Sequence, residues 1–518
     1  GMAGLTASAF LARSGYRTLV CEKRPHCGGL VNSFQRNGFV FDGGIRALEN
    51  SGILLPMLKN LGLDIPLVPN AVTLGIEDRV IRIDSVDSIA GYEALLIELY
   101  PESRDEIVEI VEQLRKIMHY MDIQYGIDNP VLLDPKKDRE YFVKVILPWM
   151  FKYALTIGKV NALKVPVVDY LRRFTGNQSL LDIITQHFFR ATPAFFALSY
   201  FTLYLDYRYP LGGTGTLPKE LTAFVRSHGG TITTGTEIVS LDPERNTIQD
   251  AEGKTHTYRA LVWAADLKAL YRAVDLDVLN DPSTRQAIEQ RRDEILDKSG
   301  GDSVLTLYLA LDLDPDTFAQ KASAHFFYTP TREGQSKAGP LPIDEPREAV
   351  ENWLQDFLAL TTYEISIPVL RDPALAPPGK TGLIVSVLFD YTLTRQTQEQ
   401  GWYEDFKRLC ETKMIDVLDA SIFPGVKAAV LEAFSATPLT MASTMGTTEG
   451  AITGWAFTNH PVPAESRLHK VMASVRTPIP NVYQAGQWTF SPSGFPIAIL
   501  SGKLAADQVG KALRKANR

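Results

Sequence analysis

Cysteine is almost missing from this chain. Three residues, Cys21, Cys27 and Cys410, occur in 518, and none forms a CxxC pair. That excludes a disulfide framework, a redox dithiol and a cysteine-based zinc site, and it reads as a chain kept in a reducing, cytoplasmic compartment. The eight histidines are scattered, with no HExxH and no His/Asp cluster, so no metal is predicted. No uninterrupted apolar run reaches the roughly 18 residues of a spanning helix. The N-terminus lacks a charged stretch ahead of an apolar core, so no signal peptide is predicted. Lys and Arg number 53 against 60 Asp and Glu, a net charge of −7, and they form no blocks. This balance excludes nucleic acid as a partner. No Ser/His/Asp spacing marks a hydrolytic triad.

What the chain has is ordinary globular material: 45% hydrophobic, 22% charged and 10% aromatic residues. At ~150 residues per domain the length corresponds to about three units. Leu5–Ser14 reads as an Ala- and Leu-rich helix stopped by Gly15, and Arg17–Glu22 as a short buried strand ending in an acid. Val72–Ile83 reads as two strands turning at Glu77-Asp78, and Tyr92 to about Met121 as one long charged helix. Leu211–Thr216 is a Gly-rich loop before a helix, Leu217–Ser227. Short strands are predicted at Thr231–Thr233, Glu237–Leu241, Leu261–Ala264, Val304–Leu311, Thr381–Phe389 and Asn481–Ala485. Helices are predicted at Trp402–Phe423 and about Ile497–Leu513, and Pro-rich surface loops at Pro340–Pro346 and Asp372–Lys380.

The N-terminus carries most of a dinucleotide-binding pattern. Gly1, Gly4 and Ser8 fit its later small-residue positions, and Glu22 follows Gly4 by 18 residues at a strand end. Gly1 lets the backbone approach a pyrophosphate, and Gly4 and Ser8 let the helix pack close to a sheet. The helix N-terminus offers free N–H groups to phosphate, and Glu22 accepts from ribose hydroxyls. The first strand and first glycine of the pattern are not in this sequence. Either the chain starts inside the motif, or Gly1 precedes a start methionine, Met2, and merely falls where a glycine belongs. An ordinary helix and strand is the plain alternative for this segment taken alone.

The remaining motifs are more specific in combination. Glu22-Lys23-Arg24, Gly28-Gly29-Leu30 and Gly38-Phe39-x-Phe41-Asp42-x-Gly44 together resemble the phytoene desaturase, carotenoid isomerase and retinol saturase family of flavoproteins. So do Pro480-Asn481-Val482-Tyr483-x-Ala485-Gly486-Gln487, Gly494-Phe495-Pro496 and Ser501-Gly502-x-x-Ala505-Ala506. Tyr209-Pro210-x-Gly212-Gly213 and Gly446-x-x-Glu449-Gly450-Ala451-Ile452-x-Gly454 resemble that family's middle segments. The resemblance implies an α/β fold of amine-oxidase-like architecture. A Rossmann-like FAD domain would be assembled from 1–70, 211–300 and 471–518, with an inserted sheet and helical substrate domain from 71–210 and 301–470. It implies FAD as cofactor, with Glu22 on the adenosine ribose and Lys23 and Arg24 by the adenosine or phosphates. Gly28, Gly29 and Leu30 would pass beside the pyrophosphate and ribityl chain, and Gly43 and Gly44 would lie near the isoalloxazine. Ile238 would offer backbone atoms to adenine, and Gly486 and Gln487 would meet the ribityl-phosphate region. Phe495, Pro496 and Ile497 would open a helix aimed at the flavin pyrimidine edge. Gln487 stands where the family commonly has an acid and removes one charge there.

The implied activity is oxidoreduction of a hydrophobic polyene or isoprenoid by hydride exchange with flavin N5, as desaturase, saturase or isomerase, with no catalytic side chain singled out. Gly213-x-Gly215-x-x-Pro218 fails as a second fingerprint, so electrons would pass through a diffusible or membrane carrier. Nine aromatics in Gln186–Pro210 would line an apolar channel or simply pack a helical domain. Tyr141–Leu171 reads either as a peripheral membrane contact with snorkelling lysines or as a core helix. Cys27, beside Gly28, reads as a loop thiol without a role or as a neighbour of the flavin. Two rival functions stay open: a flavin amine oxidase, and a non-catalytic binder of hydrophobic ligands.

Overall fold

Helix Met2–Arg13 carries a single charge, Arg13, and nine of its twelve residues are buried. A helix without a polar face belongs between layers. It packs on the C-terminal helix Phe495–Ala516 and on Thr216–Ser227. Glycine lets the first of these contacts reach backbone distance: a Cβ on Gly502 would overlap the Ala3 carbonyl oxygen. The computed structural model describes residues 1–134 and 136–516.

Beside these helices the strand Leu19–Glu22 pairs in parallel with Thr231–Thr234, with Glu22 opposite Thr234. Leu261–Trp263 pairs in parallel with Val482–Gln484. Each pair stands as its own two-stranded sheet. A three-stranded antiparallel ribbon, Ile238–Asp242, Thr247–Asp250 and Thr255–Thr257, lies between them in sequence.

The largest sheet has seven strands. Their order is Val430–Ala436, Ser303–Leu311, Thr381–Phe389, Tyr363–Ser366, His325–Thr329, Val72–Ile76 and Arg79–Ile83, with only His325–Thr329 and Val72–Ile76 parallel. One face is apolar across its centre. Leu305, Leu307, Leu309, Val385, Ile365 and Phe326 pack there against the helices Arg347–Leu360 and Tyr403–Ala420. The other face carries Thr306, Ser386, Glu364 and Phe327 in direct cross-strand register. Period-two alternation therefore sorts an apolar core to one side and a polar row to the other.

A helical layer closes over that second face. The expected helix from Tyr92 to Met121 is two helices, Ser88–Leu99 and Arg104–Tyr125, because Pro101 has no N–H to donate and ends the first. The segment from Arg139 to Ala162 is helical throughout, with a π-helical turn at Phe142–Ile146. Ile146, Thr156 and Val160 are its buried side. The opposite side presents Val143, Leu147, Met150, Phe151 and Leu155 to solvent, Phe151 at 75% and Leu155 at 78% exposure. Within 141–171, then, one side joins the core and the other is an uncovered apolar stripe.

Candidate active site

One cavity of about 1980 Å³ runs from the N-terminal helix to the polar face of the seven-stranded sheet. All sixteen residues singled out for the cofactor line it: Gly1, Gly4, Glu22, Lys23, Arg24, Gly28, Gly29, Leu30, Gly43, Gly44, Ile238, Gly486, Gln487, Phe495, Pro496 and Ile497. The two sequence ends therefore meet at one wall.

The local reasons are visible in backbone contacts. The Gly1 nitrogen lies 3.5 Å from Glu22 Oε2. Thr236 N–H donates to the Glu22 carbonyl at 2.9 Å and Gly235 N–H to the Arg24 carbonyl at 3.1 Å, which brings the approach to Ile238 alongside Glu22–Arg24. Arg24 Nη1 reaches the Gly29 carbonyl at 3.2 Å. Gly43 N–H bonds the Asn32 carbonyl and Ile45 N–H the Leu30 carbonyl, so Gly43-Gly44 lies flat against Leu30–Asn32. A side chain at Gly44 would collide with the Leu30 carbonyl. Gly486 N–H donates to Ser501 Oγ at 2.9 Å, fixing that turn to the C-terminal helix. This wall is largely backbone, with two helix N-termini, the Glu22 carboxylate and the Lys23 and Arg24 cations. Such a donor set fits the phosphates and ribose of a dinucleotide.

Asp42 explains the middle motif. It is 1% exposed and accepts from Tyr209 OH at 2.7 Å, Ser33 Oγ at 2.8 Å and Thr214 N–H at 2.9 Å. Gly215 N–H donates to Ser33 Oγ. The Gly-rich loop 211–216 is thereby tied to the Gly43-Gly44 turn.

The far half of the cavity is built of side chains. Of the predicted aromatic stretch, Phe188, Phe189, Phe195, Phe196, Tyr200 and Tyr207 line it, while Phe201, Tyr204 and Tyr209 are packed in core or bonded elsewhere. Among these rings stands a hydrogen-bonded chain that motif reading missed. Arg371 Nη1 donates to Asn70 Oδ1 at 3.0 Å. Asn70 Nδ2 therefore faces His325 Nδ1, at 3.2 Å, and His325 Nε2 donates to Glu364 Oε1 at 2.9 Å. Arg371 also donates to the Arg46 carbonyl, and Arg46 Nη2 to Ser386 Oγ at 2.9 Å, which bonds Thr306. Burial lowers the His325 pKa and outweighs the pull of Glu364. Burial opposes charge on Glu364, but the His325 bond and the nearby Arg46 and Arg371 outweigh it and hold the carboxyl below its ordinary value. The pair is a neutral imidazole donating to a carboxylate.

Glu49 and His187 also line the cavity. Burial pushes the Glu49 carboxyl up to about 7, against a bond from Ser51 Oγ and with help from Asp206. Burial lowers His187 to about 4 despite Glu364. The signal that would have found His325 and Glu364 is modest: an ionisable residue in a short, mainly apolar or aromatic strand, HFFYT and YEIS. Cys27 lines the cofactor half, and burial raises its thiol, so it is no ready nucleophile.

Known proteins resemble this chain in sequence and in fold. The pattern of flavin-containing amine oxidoreductases matches residues 2–510. The all-trans-retinol 13,14-reductase of Danio rerio is 21% identical, over 94% of this chain and 81% of its own length. Prolycopene isomerase 1, chloroplastic, of an Oncidium hybrid cultivar is 23% identical over 99% and 83%. The 4,4'-diapophytoene desaturase of Staphylococcus aureus is 20% identical over 99% and 98%. Among solved structures, a putrescine oxidase variant superimposes with a TM-score of 0.61 at 12% identity, covering 99% of this chain and 97% of that one. An oxidoreductase from Methanosarcina mazei gives 0.58 at 16% identity, covering 99% and 98%. The α/β architecture is that of FAD-dependent amine-oxidase-like enzymes, the cofactor is FAD, and the chain belongs to the flavin-containing amine oxidoreductase family.

Proposed function

We propose that this flavin oxidoreductase acts on a hydrophobic polyene or isoprenoid, exchanging hydride between a substrate carbon and flavin N5. One observation carries the reading: a single cavity has a backbone-lined half suited to FAD and an aromatic half suited to a long apolar molecule. Relatives named for retinol, prolycopene and diapophytoene support it. FAD supplies the hydride chemistry. The chain supplies orientation through Glu22, the glycine turns and the helix starting at Phe495, and exclusion of water through its aromatic rings. Segments 1–70, 211–300 and 471–518 would hold the cofactor, and 71–210 and 301–470 the substrate.

Electrons would pass to or from a diffusible or membrane carrier. The Gly213–Pro218 segment supports this, because its amides are spent on Ser33 and Asp42 rather than open to a second nucleotide. The stripe of Phe151, Leu155 and their neighbours, flanked by exposed Lys144, Lys152 and Lys159, fits a peripheral membrane contact of an otherwise cytoplasmic protein. Among the described residues, no helix is long and apolar enough to cross a membrane. Val160, Asn161 and Lys164 line the cavity, so this helix would deliver a lipid-dissolved substrate directly.

Amine oxidation is the second reading, favoured by the putrescine oxidase likeness and by carboxylates beside Tyr207. The test is anaerobic incubation of the FAD-loaded protein, oxidised and reduced, with carotenoids, retinoids and amines. Change of the flavin absorbance with polyenes and not amines is expected. Response to amines alone would overturn the polyene reading.

A further inference from the structure

Two carboxyls share the aromatic half of the cavity, and the fold treats them oppositely. Glu49 ends the short strand Leu48–Glu49 directly opposite Tyr207 in an antiparallel pair. Tyr207 stacks on His325, with 5.6 Å between ring centres and 20° between planes. His325 bonds Glu364. All four line the cavity, and Tyr200 and Tyr207 lie within electrostatic reach of both carboxyls.

Glu364 is anchored as an anion by His325, Arg46 and Arg371. Glu49 has no ion pair among the described residues. The groups that face it are Asp206 from the turn after Tyr200–Leu205, Tyr207 from the paired strand, Tyr200 from the preceding helix and Tyr125 from Arg104–Tyr125. Arg208 lies opposite Leu48, donates to the Tyr207 carbonyl and acts electrostatically on Asp206. Burial and Asp206 hold Glu49 near neutrality, where a carboxyl both accepts and returns a proton. Two carboxyls pushed apart in one site mark separate roles.

We propose that Glu49 is the catalytic acid–base of the reaction, exchanging with the substrate the proton that accompanies hydride transfer. The proposal rests on the polyene reading. In the dehydrogenating direction, one C–H bond breaks and its hydrogen leaves the substrate with the electron pair as hydride, for which bound FAD would be the acceptor. The cationic charge left on the polyene is stabilised by the fixed Glu364 anion and the faces of Tyr207 and Phe327. The adjacent C–H bond then breaks, its electrons form the new C=C bond, and its proton passes to the Glu49 carboxylate. Run in reverse, the Glu49 acid protonates a C=C bond, and hydride from reduced FAD completes saturation.

The test uses the full FAD-loaded chain, with Glu49→Gln, Glu49→Asp and Glu364→Gln, and a polyene that the wild type turns over. Difference infrared spectroscopy without substrate is expected to show a protonated-carboxyl band titrating near 7 that Glu49→Gln removes and Glu364→Gln retains. Glu49→Gln is expected to lower kcat about 100-fold, with KM within about threefold. It is also expected to abolish the pH inflection and the uptake of solvent deuterium into recovered polyene. Glu49→Asp is expected to restore part of the rate. Turnover by Glu49→Gln within about twofold of wild type, or with deuterium uptake intact, overturns the proposal alone. A wild type that exchanges electrons with no polyene overturns the polyene reading, and this proposal with it.

Discussion

The two halves of the cavity are made by different means. The cofactor half is largely backbone: glycine turns and two helix N-termini, with the Glu22 carboxylate and the Lys23 and Arg24 cations. The substrate half is side chains delivered by strands far apart in sequence, with Glu49, His325 and Glu364 meeting around Tyr207. Backbone walls depend on the absence of a side chain at fixed positions, whereas side-chain walls depend on register and burial. The first kind is intolerant of a Cβ wherever other backbone lies against it, as at Gly28 and Gly44. The second can be retuned one residue at a time.

The largest effect should come from breaking the backbone half. Gly44→Val places a branched side chain against the Leu30 carbonyl, where backbone rather than a flexible tip must move. We expect FAD retention to fall to background, read as the flavin-to-protein absorbance ratio after gel filtration. Retention at the wild-type ratio would show that the turn is more yielding than its packing against Leu30–Asn32.

The side-chain half should respond next. Arg371→Met removes the donor to the Arg46 carbonyl, Asn70 and Ser366 and the cation over the Tyr209 ring. Breaking a buried charged network costs about 4 kcal/mol, measurable by denaturant unfolding. Because Arg371 helps hold Glu364 below its ordinary value, the Glu364 carboxyl should titrate higher in the variant.

Glu49 should behave in the opposite sense. Its folded pKa is raised to about 7 from 4.5, so between those values the folded chain binds more protons than the unfolded one, and stability falls as pH rises. The effect is complete above about 7 and amounts to about 3 kcal/mol. Glu49→Gln should therefore be more stable than wild type at alkaline pH and should flatten this part of the stability curve. A gain in stability at a suspected acid–base residue is the mark of a group held in an unfavourable state for use. Glu364 contributes with the other sign: its stabilisation is present above the unfolded carboxyl pKa and is lost as pH falls through the folded one.

Legibility followed the same division. Glycines, helix ends and the acid at the end of a strand are local in sequence, and every cofactor position that they and the family resemblance implied lies on the cavity wall. The strands Val304–Leu311 and Thr381–Phe389 were equally plain as apolar runs. His325–Thr329, Tyr363–Ser366 and Val430–Ala436 were not, because four to seven mixed residues carry little periodic signal. Glu49 and Glu364 are legible only after the register is known: each is one carboxyl in a short strand, and its burial comes from partners elsewhere in the chain. The Tyr92–Met121 prediction failed for a local reason, Pro101, which the helical pattern spans but the backbone does not.

The smallest effect on the fold should come from the uncovered helix stripe. Phe151→Glu changes a residue that is 75% exposed, and stability should stay within about 0.5 kcal/mol. Flotation with anionic vesicles should nevertheless be lost, while polyene turnover in detergent is kept. Unchanged flotation would assign the stripe to another role.

The central claim is that one continuous space holds FAD and an apolar substrate end to end. A crystal structure of the FAD-loaded protein with a bound polyene tests it most directly. The account predicts the adenosine at Glu22, the flavin ring between Gly43-Gly44 and the helix beginning at Phe495, and the polyene among Phe188, Tyr200 and Tyr207. Flavin bound outside that wall, or a polyene lodged anywhere other than the aromatic half, would contradict it.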